Sequence, residues 1–231
     1  PTVNTAVSNC ADLLAAVPPG SIEPATSGDR ASLYDIPALV RRRAPWFYCL
    51  SGATTDVRGS LFHLDVQNHL SLWHDRHGLI VGGGNSLWDA SFSTVRLGGR
   101  YLAAGGQVGA GAERDSLTLR FDLTLVHIAL RIVDDRSVRF EVRTEGPVQA
   151  DSEFALTFPN VHGKTFAQWG KTRTLGEETV CMDWAIEPAR LLDCRVGDVR
   201  IEGDTPGIVT WPHHPISIYQ VPARQPIEQA V

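Results

Sequence analysis

The sequence predicts an all-β protein, a large antiparallel β-sandwich of the supersandwich kind preceded by a short irregular arm. Two observations favour this class. From residue 46 onward, short runs of β-branched and aromatic residues recur roughly every 8–12 residues, separated by Gly, Pro, Asn or Asp. Over the same region hydrophobic residues almost never repeat at the helical spacing. We therefore expect one domain of short strands over residues 46–231.

The first 45 residues have a different composition and predict an N-terminal arm or linker. Pro18, Pro19 and Pro24 interrupt residues 1–30, which are rich in Ser, Thr, Ala and Gly. Only residues 10–17 favour a short helix, with Ser8 or Asn9 as its cap. Because the chain begins with Pro1, we expect a processed form or a piece of a longer protein.

The clearest strand pattern lies in residues 61–86. Apolar and polar positions alternate there, which predicts a strand with one apolar and one polar face. The apolar positions are Phe62, Leu64, Val66, Leu70 and Leu72. The polar positions are His63, Asp65, Gln67, His69 and Ser71. A tight turn is expected at residues 75–78, where Gly78 accepts a positive φ, and a returning strand at residues 79–81.

A second alternating pattern covers residues 117–132. Odd positions are apolar up to Leu125 and even positions from Val126, and such a flip predicts a β-bulge or a change of sheet. A turn at 134–137 should lead to a hairpin partner over 138–142. The glycine-rich residues 105–111 lack the spacing of a phosphate-binding loop and predict a mobile loop. Further strands are expected at 46–50, 92–97, 100–104, 153–158, 165–169, 179–186, 198–202, 207–211 and 216–220.

Charge and hydropathy argue against two classes of partner. The formal net charge is −5, which disfavours nucleic acid and anionic membranes. Arg41, Arg42 and Arg43 form the one concentrated basic run, and we interpret it as a solvated strand entrance. No apolar run reaches the roughly 20 residues of a membrane span.

The cysteine spacing predicts neither a disulfide framework nor a metal site. The four residues, Cys10, Cys49, Cys181 and Cys194, lie far apart and include no C-x-x-C pair. We interpret them as small core residues. A disulfide between Cys181 and Cys194 is the alternative if the protein is exported.

The polar face of the 61–86 hairpin is the candidate site. Its residues His63, Asp65, Gln67 and His69 follow one another at intervals of roughly 6–7 Å along the strand. This spacing suits a row of hydrogen bonds to an extended polar ligand such as an oligosaccharide, and it would let Asp65 orient a neighbouring imidazole as a general base. A zinc site and a merely solvated sheet face are the alternatives. The predicted substrate contacts are Asp65, Gln67, Asn68, Trp73 and His74.

Two segments within this hairpin resemble a known family. LDVQNHLSLWH at residues 64–74, followed by GLIVGGGNS at 78–86, resembles the start of the C-terminal β-domain of heparinase II/III-type polysaccharide lyases. In that family the β-sandwich follows a helical toroid. The resemblance implies a periplasmic or secreted protein that binds an acidic polysaccharide or oligosaccharide.

The resemblance also implies a reaction and its residues. Family members catalyse β-elimination on uronic-acid polysaccharides, and their β-domain supplies a histidine and in some cases a structural zinc. The matching candidates are His63 and His69 as catalytic residues and His63, Asp65 and His69 as zinc ligands. The toroid residues have no counterpart in this chain, so we expect lyase activity only together with a preceding helical domain.

Two other functional classes remain as alternatives. One is a non-catalytic carbohydrate-binding or structural β-sandwich module, in which exposed tryptophans bind sugar. The other is a metal-dependent enzyme built on a sandwich or a cupin-like barrel.

Overall fold

The computed structural model describes residues 30–33, 37–54, 68–82, 93–98, 100, 103–148, 152–159, 161, 163–176, 180–182, 192–205 and 209–211. This part of the chain forms antiparallel strands and contains no helix. The strands are β1 Arg30–Leu33, β2 Ala38–Arg43, β3 Trp46–Ser51, β4 Leu70–His74, β5 Gly78–Val81, β6 Val95–Arg96, β7 Gly105–Gly109, β8 Asp115–Phe121, β9 Thr124–Asp134, β10 Ser137–Glu145, β11 Glu153–Phe154, β12 Thr165–Gln168, β13 Lys171–Thr174, β14 Val180–Met182, β15 Asp193–Val196, β16 Val199–Glu202 and β17 Val209–Trp211.

Two larger sheets dominate the fold. The first has the order β1-β2-β3-β4-β5 and the second the order β10-β9-β8-β7. Smaller sheets have the orders β13-β12-β15-β16, β11-β6 and β14-β17. The all-β class predicted from the sequence is confirmed, while the supersandwich arrangement stays a prediction.

One hydrophobic core joins the two larger sheets. The first sheet contributes Leu39 of β2 and apolar side chains at alternate positions of β3 and β4. The second sheet contributes alternate positions of β8 and β9, so each sheet has one apolar face. Fully burying such a side chain stabilises the fold by about 1.5–3 kcal/mol. The fully enclosed members are Leu39, Leu50, Leu117, Leu119, Ile128 and Leu130.

A second, smaller core lies under the β12–β16 region. It contains Val161, Phe166, Leu175, Cys194 and Val196. Cys194 is a free thiol, so the alternative Cys181–Cys194 disulfide is absent from the structure. Burial and the neighbouring Asp193 raise the pKa of the Cys194 thiol to about 11. This cysteine therefore behaves as a small apolar side chain, as the sequence indicates.

The 61–86 hairpin is observed where the structure describes it. Strands β4 and β5 pair through a turn at residues 75–77, and Gly78 has a φ of 73°. The turn at 135–136 and the pairing of β10 with β9 also agree with the sequence. Both turns are short polar segments between two β-forming runs, and this is the pattern from which a hairpin is predicted most readily.

The phase flip near Val126 has a simpler cause than the predicted bulge or change of sheet. Residues 122–123 form a tight turn, and β8 and β9 pair with each other on either side of it. Asp122 adopts a φ of 50°, a left-handed conformation that Asp tolerates better than most residues. Leu123 at the tip of this turn is 82% exposed. Its apolar side chain continued the alternating pattern and so hid the turn.

The predicted mobile loop at residues 105–111 is also wrong, because residues 105–109 form strand β7. The glycines allow the backbones of the two sheets to approach each other closely. A Cβ atom added at Gly106 would overlap the backbone of Gly52, and one added at Gly52 would lie 2.8 Å from the Gly106 carbonyl carbon. Only glycine fits at this crossing.

Strand structure begins upstream of residue 46, where the sequence predicts an arm. β2 pairs with β3 along six residues, and β1 pairs with β2. Residues 1–29, including the predicted helix at 10–17, lie outside the described residues. No helix in the described chain has the length and apolarity to cross a bilayer.

Candidate functional site

The structure describes four of the seven predicted site residues. His63, Asp65 and Gln67 lie outside the described residues. Asn68, His69, Trp73 and His74 are described, and they lie in or just before β4. Their environments differ: His69 and His74 are buried, whereas Trp73 is exposed.

Asn68 organises the start of β4. Its side-chain oxygen accepts a hydrogen bond from the Leu70 N–H at 3.3 Å and another from the Thr94 hydroxyl at 3.4 Å. The Thr94 hydroxyl oxygen also accepts a hydrogen bond from the His69 N–H at 2.9 Å. Asn68 therefore contributes to the local conformation, and its role as a substrate contact stays a prediction.

His69 is enclosed, with 1% of its surface exposed. Its Nδ1 lies 2.7 Å from the Ser51 carbonyl oxygen, and because a carbonyl only accepts, Nδ1 carries the proton. Nε2 is then a lone-pair nitrogen, and it has no hydrogen-bond partner among the residues that the structure describes. Burial lowers the pKa of His69, and the hydrogen bond to Ser51 opposes this shift in part. The ring is therefore held neutral, with its basic nitrogen buried.

This tautomer suits a metal ligand or a general base that acts through Nε2, since the Ser51 carbonyl holds Nδ1–H and leaves the Nε2 lone pair free of a proton. The two other predicted zinc ligands, His63 and Asp65, are not described. Within the described segments, no three His, Cys, Asp or Glu side chains come together as a metal-binding group. The zinc site therefore stays a prediction.

His74 lies on the core-facing side of β4 and is 8% exposed. Its Nε2 donates to the Asp135 carbonyl oxygen at 3.1 Å, and its Nδ1 accepts from the Arg76 N–H at 3.1 Å. The ring packs edge-on against Trp46, with centroids 4.6 Å apart. His74 thus ties the β4–β5 turn to the β9–β10 turn. As a substrate contact it stays a prediction.

Trp73 points to the opposite side of β4 and is 43% exposed. It lies directly opposite Phe47 of β3, which is 38% exposed, and opposite Leu79 of β5. Phe47 in turn lies opposite Arg42 on β2. These four residues, Arg42, Phe47, Trp73 and Leu79, form a row on the outer face of four adjacent strands. We call it the outer row.

The charged end of the outer row is an ion pair. Arg42 donates from both terminal nitrogens to the two Asp75 carboxylate oxygens, each at 2.7 Å. This hydrogen bonding by Arg42 holds the pKa of the Asp75 carboxyl below its ordinary value and raises the pKa of Arg42. The Asp75 side chain is 46% exposed, so water competes for it.

The apolar end of the outer row borders a cleft of about 200 Å³. His77 and Leu79 line one side, and residues of the smaller core region line the rest, including Phe158, Lys164 and Asp198. For scale, a cavity of about 150 Å³ holds one benzene molecule, so the cleft has room for one ring-sized group. The outer row and this cleft together form the candidate site.

Sequence reasoning found Trp73 but missed Phe47 and Arg42. Within WFYCL at 46–50, alternation puts Phe47 and Cys49 on one face and the larger apolar set on the other. That signal was available. The pairing of Phe47 with Trp73 was not, because it depends on the register between β3 and β4.

Arg41, although adjacent to Arg42, serves the interior. Its guanidinium donates to both Asp115 oxygens, at 2.6 and 2.8 Å. Asp115 is fully buried and also accepts from the Tyr48 hydroxyl at 2.5 Å and the Gly111 N–H at 2.9 Å. The interpretation of residues 41–43 as a solvated strand entrance is therefore wrong for Arg41, which bonds the first sheet to β8.

Comparison with known proteins adds no relative to this description: no family model, curated protein or solved structure matches the chain.

Proposed function

We propose that this chain binds an acidic polysaccharide or oligosaccharide through the outer row and the adjoining cleft. The observation that carries the proposal is the cross-strand pair of Phe47 and Trp73, both more than one third exposed on one sheet face. Large aromatic side chains are usually buried, so two side by side on the surface favour a ligand. A sugar ring is such a ligand, because its C–H groups form an apolar face and its hydroxyls remain at the edge.

Two cationic groups in the candidate site match the carboxylate of an acidic sugar. Arg42 lies next to Phe47 in the outer row, and Lys164 lines the cleft at the other end. A guanidinium matches a carboxylate through two parallel hydrogen bonds. Arg42 already makes such a pair with Asp75, and because Asp75 is half exposed, a sugar carboxylate would displace it into water at small cost.

A contribution to β-elimination is the second part of the proposal. It is supported by the resemblance to heparinase II/III-type lyases and by the tautomer of His69. Its Nε2, which has no partner within the described segments, is a base suited to removing the proton on C5. The same nitrogen is enclosed, so this role requires a conformation in which His69 meets substrate. It also requires the cationic groups that the family's helical domain supplies.

The binding proposal is tested by isothermal titration calorimetry with oligouronates and, as the neutral control, dextran oligosaccharides. Trp73→Ala should weaken oligouronate binding at least tenfold, which corresponds to about 1.4 kcal/mol. Leu123→Ala is the matched control, because it also removes an exposed apolar side chain but lies in the β8–β9 turn. Equal affinities for the two variants would refute the outer row as the binding surface.

The lyase part is tested by the ultraviolet absorbance of the unsaturated uronate product. The wild-type chain is assayed with and without zinc, beside His69→Asn, which keeps an N–H for Ser51 but lacks the Nε2 base. Product that forms with wild type only supports the role of His69. Equal product from both proteins would refute the role of His69. Binding without product from either protein would show that this chain alone only binds, as the requirement for a helical domain predicts.

A further inference from the structure

Among the described strands, β10 lies at the edge of its sheet. It runs for nine residues, Ser137–Glu145, and lies at the end of the sheet order β10-β9-β8-β7. In the described part of the chain no strand pairs with its outer edge. Such an edge presents a row of backbone N–H and C=O groups that another strand can bind.

The core-facing side of β10 is incompletely covered. Phe140 and Val142 lie opposite Leu130 and Ile128 of β9, which are both fully buried. Val142 nevertheless is 38% exposed. An apolar row thus continues from the core to an open sheet edge, and a further strand beside β10 would cover it.

The other side of β10 has alternating charges: Arg139, Glu141, Arg143 and Glu145. We propose that a second copy of this chain pairs antiparallel with β10 about a two-fold axis at Val142. In that register Arg139 faces Glu145 of the partner subunit, and Glu141 faces Arg143 of the partner subunit. The axis repeats each contact, so four opposite-charge pairs form.

Neighbouring registers fit less well. Two residues that lie opposite each other must point to the same face of the sheet. The two-fold axis must therefore pass through a residue and not between two residues. An axis at Glu141 would set Arg139 against Arg143 and Glu141 against itself. An axis at Phe140 gives only two opposite-charge pairs and uses Ser137 and Val138, where the pairing with β9 shifts. Cross-strand charge pairs favour the register at Val142.

Charges already near β10 leave these residues available. Glu141 lies 3.7 Å from Arg114 and 3.9 Å from Arg143, and Glu145 lies 3.6 Å from His127. All five side chains are more than 40% exposed, and exposed pairs of this kind are weak. They rearrange readily when a second strand adds backbone hydrogen bonds. The inference is independent of the proposed polysaccharide binding.

Sedimentation equilibrium of the full chain over a range of concentrations tests the inference by a charge swap. Wild type should show a reversible monomer–dimer equilibrium. Arg143→Glu and Glu141→Arg each set like charges opposite each other, and each should weaken dimerisation at least tenfold. The double variant E141R/R143E restores opposite charges and should dimerise like wild type.

Two controls accompany the swap. Arg173→Glu makes the same charge change on the exposed face of β13 and should leave the dimer unchanged. Far-ultraviolet circular dichroism shows whether each variant keeps its strand content. The inference is overturned if wild type stays monomeric at every concentration, or if the double variant dimerises no better than the single ones.

Discussion

Two adjacent arginines on one strand have opposite functions in this protein. Arg41 and Arg42 each bind a carboxylate through two hydrogen bonds, at distances between 2.6 and 2.8 Å. The partner of Arg41, Asp115, is completely buried, whereas the partner of Arg42, Asp75, is about half exposed. Since successive residues of a strand point to opposite faces, one of these two similar ion pairs lies in the protein interior and the other lies in water.

The tryptophans of the same sheet show the same division. Trp46 is 5% exposed and donates its indole N–H to the Asp134 carbonyl oxygen at 2.9 Å. Trp73 is 43% exposed and pairs with Phe47 on the outer face. On the inner face Trp46 is buried and hydrogen-bonded, whereas on the outer face Phe47 and Trp73 are exposed to solvent. Binding should therefore depend on the outer residues and stability on the inner ones.

The largest expected effect comes from removing the buried carboxylate. Asp115→Asn leaves the Arg41 guanidinium buried without a counter-charge and should lower the free energy of unfolding by about 3–5 kcal/mol. Asp75→Asn makes the same change on the outer face and should leave the free energy of unfolding unchanged within error, because water replaces the lost contact. Urea denaturation followed by tryptophan fluorescence measures both. Equal effects of the two substitutions would contradict the comparison.

A smaller effect should come from protonation of His69. Because burial lowers its pKa below the ordinary 6.5, the unfolded chain binds the proton first as the pH falls. The stability due to neutral His69 is complete above about pH 6.5 and is lost below it, until the pH passes the folded-state pKa. One group of this kind changes the free energy of unfolding by at most about 1.4 kcal/mol for each pH unit.

His69→Asn isolates this contribution, since asparagine donates to Ser51 without titrating. The measurement is the free energy of unfolding of both proteins between pH 7.5 and pH 4.5, on the order of three units around the ordinary histidine pKa. Wild type should lose more stability than the variant on acidification. Parallel pH profiles would show that His69 takes up a proton without cost, and hence that its Nε2 is open to water.

Local patterns in the sequence predicted the all-β class and several hairpins. The β4–β5 turn and the pairing of β10 with β9 were predicted from alternating polarity and turn residues. Both signals lie within a few neighbouring residues of the sequence. The β8–β9 turn was missed because an Asp–Leu pair is not a typical hairpin sequence, and an exposed Leu123 continues the apolar pattern. Strand β7 was missed because glycines usually indicate loops, and the neighbour that requires them, Gly52, is distant in sequence.

The candidate site was only partly accessible to sequence analysis for the same reason. Trp73 is conspicuous in a strand pattern, and its exposure could be proposed from alternation. The outer row depends on how β2, β3, β4 and β5 align, and the burial of His69 depends on Ser51 and Thr94. These are long-range contacts that no local pattern contains.

The most direct test of acidic-sugar binding compares the two tryptophans within one protein. Nuclear magnetic resonance of the ¹⁵N-labelled chain resolves indole N–H signals, and Trp73→Ala and Trp46→Phe assign the two that matter. On titration with an oligouronate, the Trp73 signal should shift in a saturable way while the Trp46 signal stays in place. A Trp73 signal that does not move at saturating oligouronate would contradict the proposed function.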